Sequence, residues 1–298
     1  MKFSTAKQWL ALADQHELTL AEVVIKAELD ASEYSLEQIM AKMRQNLQVM
    51  EHAVKQGLQE PVYSRSGLTG GAAFKLIQGL NAQTTLTSGL YLKAAMYALS
   101  TAEVNASMGR ICAAPTAGAA GVVPGVIISL GEALQLDQDR MVEALFVSAG
   151  VGQVAAENAE LVGAALGCQA EIGVASAMAA AGGAFLAGCS AQSCLDAASF
   201  ALQNLLGLTC DPVAGYVEIP CISRNCAAAV NALICIELAK VGVSSAIPLD
   251  DAILALIDIG KRMHSDLRET SRGGLAVTPT GRLLAQQCEG NCPIKQEN

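Results

Sequence analysis

Apolar residues at 36, 39, 40, 43, 47 and 50 recur at the spacing of one helix face, which predicts an amphipathic helix beginning after Ser35. Ser35 stands at the N-cap, with Glu37 and Gln38 in the first turn. Thr19 to Leu29 reads as a second helix with Thr19 as its cap. From Leu68 onward the pattern changes: Ala and Gly dominate and charges stand at isolated points. Helical runs are predicted over 86–108, 118–134, 138–157, 159–187, 190–206, 222–242 and 249–263. Alternating Val, Ile, Thr and aromatic runs bounded by turns are scarce, so strands are not expected. The predicted fold is mainly α: a globular helical domain in which amphipathic helices surround buried Ala/Gly-rich ones.

Three sections follow from this pattern, within a single domain over 1–298. Residues 1–62 form a charged, peripheral, amphipathic helical section, 63–282 a core, and 283–298 a polar tail expected to be mobile. No fixed-period repeat or low-complexity linker divides the chain.

Composition sharpens the picture. The chain is 52% hydrophobic but only 4% aromatic, so its core must be built from small aliphatic residues, and 27 glycines let helices approach closely. The positive mean hydropathy makes a small-solute membrane protein worth testing. Residues 172–195 carry no charge and are long enough to span a bilayer, but they are rich in Ala, Gly, Ser and Cys. The second candidate, 111–131, contains Pro115 and Pro124, and neither has an aromatic belt or a basic flank. Buried interior helices are the better reading, with no membrane partner. A formal charge of −9 argues against a nucleic-acid surface. Asp14, Glu17 and Glu22 interrupt what would be the apolar part of a signal peptide, so a cytoplasmic location is expected, where the ten cysteines stay unpaired.

Polar residues inside a Gly/Ala-rich interior need a partner or a task. They cluster at Ser66–Gly71, Glu103–Asn105, Ala114–Gly121, Glu157–Asn158, Gly167–Glu171, and the stretches 208–225 and 267–282. Conventional signatures are missing: no phosphate-binding GxxxxGK[ST] loop, no CxxC pair, and only three histidines to build a triad or a zinc site. What remains are cysteines beside Gly or Pro: Cys168 after Gly167, Cys210 before Asp211-Pro212, and Cys221 after Pro220. Thiolates on turns can converge on an iron–sulfur cluster, and three of them leave one iron open as a Lewis acid. The spacing C-x41-C-x10-C is not compact, and ten cysteines allow other triplets, so spacing alone does not choose among them.

The segments SGLTGGAAFKL (66–76), EVNASMGRICAAPTAGAAGVVPG (103–125), GCQAEIGVASAMAAAGG (167–183), NLLGLTCDPVAGYVEIPCISRN (204–225) and LRETSRGGLAVTPTGR (267–282) lie in one order along the chain. In these the sequence resembles the α chain of two-subunit, iron–sulfur-dependent bacterial L-serine dehydratases. The resemblance implies a 4Fe-4S cluster on Cys168, Cys210 and Cys221, and conversion of L-serine to pyruvate and ammonia. It implies a β subunit as partner, which would supply the base that takes the Cα proton. Substrate contacts are expected among Thr69, Gly70, Gly71, Asn105, Thr116, Asn158, Arg224 and Asn225. Arg224 suits a carboxylate clamp or a structural ion pair with Asp211 or Glu218. Lys75 suits proton transfer or an exposed helix face, and Glu171 a partner of the cluster ligands or of the core. Cys288 or Cys292 is a candidate fourth ligand at the open iron, or an exposed thiol without a role. Cys112, Cys189, Cys194, Cys226 and Cys235 are read as packing residues.

Three other readings stay open. A related cluster-dependent lyase would act on threonine or cysteine. A pyridoxal-phosphate enzyme would need a Schiff-base lysine, and none presents itself, so that cofactor is not expected. The third is a catalytically idle scaffold subunit.

Overall fold

Local signals start the chain. In the computed structural model, which describes residues 1–291, helix α1 (Ala6–His16) begins at Thr5, whose side chain accepts from the Gln8 amide. Helices α2 (Leu20–Ala31) and α3 (Leu36–Gln59) both open with full capping boxes, Thr19 with Glu22 and Ser35 with Gln38. Helix α3 runs to Gln59 because Met50, Ala53, Val54 and Gly57 continue its buried stripe.

The rest of the chain follows as α4 (Ala72–Asn81), α5 (Leu90–Ala106), α6 (Val122–Ala133), α7 (Gln138–Asn158), the short α8 (Gly163–Leu166), α9 (Ile172–Leu186), α10 (Ala191–Gln203), α11 (Cys221–Lys240), α12 (Leu249–Arg262) and α13 (Pro279–Asn291). Among the described residues there is no strand, only isolated bridges between Tyr63 and Gly70 and between Cys210 and Arg268. The fold is mainly α. The polar tail expected from residue 283 is helical as far as Asn291, and the remaining residues lie outside those described.

Helix α9 is the centre of the molecule, with every residue buried and α6, α7, α10 and α11 packed around it. Its glycines make this possible. A Cβ on Gly182 would stand 2.3 Å from Ser148 Oγ and 2.8 Å from the Ala144 carbonyl of α7. One on Gly183 would stand 2.3 Å from Ile236 Cδ1 of α11. Ser176 then donates to the Ala228 carbonyl across the α9–α11 contact, at 2.9 Å.

The section expected to be peripheral is built into the same core. Trp9 is fully buried, stacks on Phe3, and donates its indole N–H to the Leu20 carbonyl. Gly150 of α7 gives it room, since a Cβ there would lie 2.4 Å from the indole ring. Asp250 of α12 accepts from the Ala6 and Lys7 amides at 2.7 and 3.0 Å, and so caps α1 from the far end of the chain.

The 172–195 candidate span resolves into α9 and α10, with a turn between. The one helix among the described residues that is long and apolar enough to cross a membrane is α11, and half of it is buried against its neighbours.

The packing at α9 is directly testable. Gly182→Ala should lose about 1–3 kcal/mol by overpacking against α7. Gly152→Ala, whose new methyl would meet only the flexible Met178 side chain at 3.1 Å, should stay within about 1 kcal/mol of the parent. Chemical denaturation midpoints of the two variants check the contrast.

Candidate functional site

The predicted helix over 159–187 is broken where the site forms. The chain leaves α7 extended at Ala159, makes the four residues of α8, and turns at Gly167 with φ +79° and ψ 174°, a conformation that suits only glycine. Cys168 opens a 3-10 turn, Cys168–Ala170, that leads into α9. Gln169, fully buried, locks this turn. Its amide donates to the Leu166 and Leu256 carbonyls at 2.8 and 3.0 Å, and its oxygen accepts from the Gly207 amide at 2.8 Å.

Cys210 lies on an extended segment paired with the 267–269 loop: its amide donates to the Leu267 carbonyl at 2.8 Å, and its carbonyl accepts from the Glu269 amide at 2.7 Å. Cys221 is the first residue of α11, just after the cis peptide Ile219–Pro220. All three cysteines are buried and line one small cavity, together with Glu171, Glu269 and Gly118.

Their electrostatics are coupled. The neighbouring Cys210 thiol, with the help of nearby Arg224 and against the effect of burial, holds the Cys168 thiol below its ordinary pKa. Cys210 is raised correspondingly. Burial, with the neighbouring Cys168 charge, pushes Cys221 up to about 12. Burial also raises Glu171, although Thr116 donates to its Oε1 at 2.7 Å and the nearby Gly163 backbone opposes the rise; Glu269 adds repulsion.

Among the described residues no three His, Cys, Asp or Glu side chains close on a point as a single ion requires. The three thiols instead surround a hollow, without histidine. Three soft thiols, with the Glu171 and Glu269 carboxylates beside them in the wall, suit an iron–sulfur group better than a hard cation.

Other sequence candidates fall into three groups. Thr116 reaches the cavity wall through Glu171. Arg224 is committed structurally: it donates to Asp211 Oδ1 at 2.9 Å and to the Thr209 carbonyl at 2.7 Å, so the ion-pair reading describes its main contacts better than a free carboxylate clamp does. Asn225, fully buried, uses its whole amide on protein. It accepts from the Gly121 amide at 2.9 Å and donates to the Gly118 and Cys221 carbonyls at 2.7 and 2.9 Å.

Thr69, Gly70 and Gly71 belong to a tight loop before α4. Gly70 is packed so closely that a Cβ would lie 2.4 Å from the Val62 carbonyl, and Gly71 caps α4 at φ +70°. Asn105 is half-buried near the end of α5, whose Ala106 carbonyl accepts from the Arg65 amide of that loop.

Asn158 is not brought to the site; it is exposed and donates to the Ser4 and Val154 carbonyls. Lys75 is exposed on α4. Cys288 is buried on α13, contrary to an exposed thiol, and Cys292 lies outside the described residues. Cys194 and Cys235 are buried in the core, and Cys112, Cys189 and Cys226 are half-buried.

Residues that sequence reasoning did not place in the site itself also hold it. Asp211 takes Arg224 on one oxygen and the Leu275 amide, at 2.8 Å, on the other. Gly274, at φ +58°, lets the 267–282 loop approach it, since a Cβ would lie 2.4 Å from Asp211 Oδ2. The paired glycines 273–274 were the available signal. Glu103, buried on α5, caps α4 across space by accepting from the Ala72 and Ala73 amides at 2.7 and 3.2 Å.

The fold is thus an α-helical chain that brings three buried thiols to the wall of one hollow. The sequence profile of the family described as serine dehydratase alpha chain matches residues 15–276, and the chain belongs to that family. It is 45% identical over 288 residues to the probable L-serine dehydratase alpha chain of Bacillus subtilis, covering 97% of this chain and 96% of that one. It is 36% identical over 281 residues to the L-serine dehydratase alpha chain of Peptoniphilus asaccharolyticus, covering 94% and 96%. L-serine dehydratase 2 of Escherichia coli is 37% identical over 268 residues, which are 87% of this chain but 58% of that longer one.

The buried ion pair can be checked by removing one partner. Asp211→Ala should lose about 3 kcal/mol because Arg224 and the Leu275 amide lose their acceptor. Asp211→Asn should lose less. Denaturation midpoints measure both.

Proposed function

We propose that this chain is the catalytic α subunit of an iron–sulfur L-serine dehydratase, an L-serine ammonia-lyase that converts L-serine to pyruvate and ammonia. The observation that supports this reading most strongly is the meeting of Cys168, Cys210 and Cys221, from three separate segments, at one cavity in a chain of this family. A β subunit completes the enzyme and supplies the base for the Cα proton. We assign the complex to the cytoplasm, where thiols stay reduced.

In this reading the three thiolates hold a 4Fe-4S cluster, which when bound supplies Lewis acidity toward the serine β-hydroxyl, a poor leaving group. The chain's own residues prepare the place. Arg224 favours the ionised Cys168 that a ligand must be. Gln169 and Asn225 fix the turns that carry Cys168 and Cys221. Thr116 ties the Glu171 carboxylate to the wall through its hydroxyl. Burial of all three sulfurs keeps bulk water from the ligands. A lyase acting on threonine or cysteine is the runner-up, and product analysis with each amino acid separates the two.

The test is anaerobic co-expression with the β partner, followed by iron analysis and pyruvate assay. Cys168→Ala, Cys210→Ala and Cys221→Ala should each lose most of the iron and the activity, while Cys235→Ala keeps both. Iron retained in all three variants would remove the basis for this assignment.

A further inference from the structure

The loop from Ser64 to Gly70 is closed on itself. The Ser64 amide donates to the Thr69 carbonyl at 3.0 Å, the Gly67 amide to the Ser64 carbonyl at 3.1 Å, and the Gly71 amide to the Val62 carbonyl at 2.8 Å. From this loop two hydroxyls reach across 152 and 149 residues of sequence to one oxygen. Ser66 Oγ donates to Glu218 Oε2 at 2.6 Å and Thr69 Oγ1 donates to the same atom at 3.0 Å. Glu218 is 4% exposed, and among the described residues no Lys, Arg or His forms an ion pair with it.

A buried carboxylate without a counter-ion is an expensive way to fasten a loop. What it does that an amide would not is impose direction. A carboxylate only accepts, so both hydroxyls must point their protons at it. Ser66 Oγ then takes the Leu68 amide at 3.0 Å. Thr69 is only half-buried, and its hydroxyl oxygen receives no donor from the described residues. Its lone pairs are therefore the free end of this relay, beside a negative charge. Such an end attracts a cation with N–H bonds and offers nothing to a carboxylate. Glu218 is also the chain neighbour of Val217, which lines the cysteine cavity, and lies three residues before Cys221.

We infer that Glu218 is a positioning residue that polarises Thr69, so that the Thr69 oxygen accepts from the α-ammonium group of the amino-acid substrate. The inference rests on the dehydratase reading above and names the group that recognises the amine end. The substrate carboxylate must find its donors elsewhere.

The test uses the reconstituted αβ holoenzyme, with L-serine as substrate and L-glycerate, which replaces the ammonium group by a hydroxyl, as competitive inhibitor. Glu218→Gln keeps the size but can donate from its amide, so the Thr69 hydroxyl is no longer forced to point one way. KM for L-serine should rise about tenfold, the scale of one lost hydrogen bond to a charged group, with kcat within about threefold and the glycerate Ki within about twofold. Thr69→Val should reproduce the pattern, and Thr69→Ser should restore the parent values. Thr69→Val carries the test if Glu218→Gln does not fold.

An equal rise in KM for serine and Ki for glycerate would mean that the latch only shapes the loop, and would overturn the inference. So would an unchanged KM. A parent complex that binds iron but forms no pyruvate from serine would instead count against the dehydratase reading. Amide exchange over residues 62–71, faster in Glu218→Gln than in the parent, reports the latch independently of turnover.

Discussion

Backbone proximity around α9 is the constraint on which the rest of the structure depends. A helix made of Ala, Gly and Ser presents little side-chain volume, so its neighbours must come close enough to touch it. Gly182 and Gly183 leave no room for even a methyl toward α7 and α11. That intimacy buries the whole of α9 without large side chains, and it reconciles an interior rich in aliphatic residues with a chain poor in aromatics. It also places the N-terminus of α9, and with it the Cys168 turn, at a defined position against α11 and Cys221.

Nearly all polar side-chain atoms enclosed in so narrow an interior are paired, Ser148 Oγ and Arg268 Nε being the exceptions among the described residues, and the site is organised by the paired ones. Gln169, Asn225, Asp211, Glu103 and Glu218 each join segments distant in sequence, and each does so by meeting backbone amides, carbonyls or hydroxyls. Their common effect is to fix irregular chain: the turn at Cys168, the start of α11 at Cys221, the extended run at Cys210, and the loop before α4. The cysteines lie on the irregular segments and helix starts that these polar residues tie down. Scaffold and site thus divide the labour, with apolar helices supplying rigidity and buried polar side chains supplying placement.

Much of this was legible in the residues. The helices after Thr19 and Ser35, the scarcity of strands and the interior character of 172–195, of which 172–186 is wholly buried, have counterparts among the described residues, whereas Cys168, Cys210 and Cys221 were singled out by the family resemblance and not by their spacing. Other readings changed. The helix over 159–187 is interrupted, Asn158 binds the N-terminal segment, Asn225 binds the Gly118 and Gly121 backbone, and Trp9 anchors the N-terminal section within the main core. Each difference comes from a partner far away in sequence. Glu218 illustrates the limit, because nothing near it in the chain announces that two hydroxyls from another loop converge on it.

By itself, the sequence determined what acts over a few residues: helix starts, through capping side chains that bind amides three positions on, and helix faces, through periodic apolar residues. It also set the kind of chemistry on offer, since thiols beside Gly and Pro are a property of composition and local turns. Tertiary structure alone decided which thiols share a cavity, which carboxylate meets Arg224, and which one holds the Thr69 loop. Those contacts link positions that no local rule connects. They form only once helices with little side-chain bulk have packed closely enough for every enclosed polar group to require a partner.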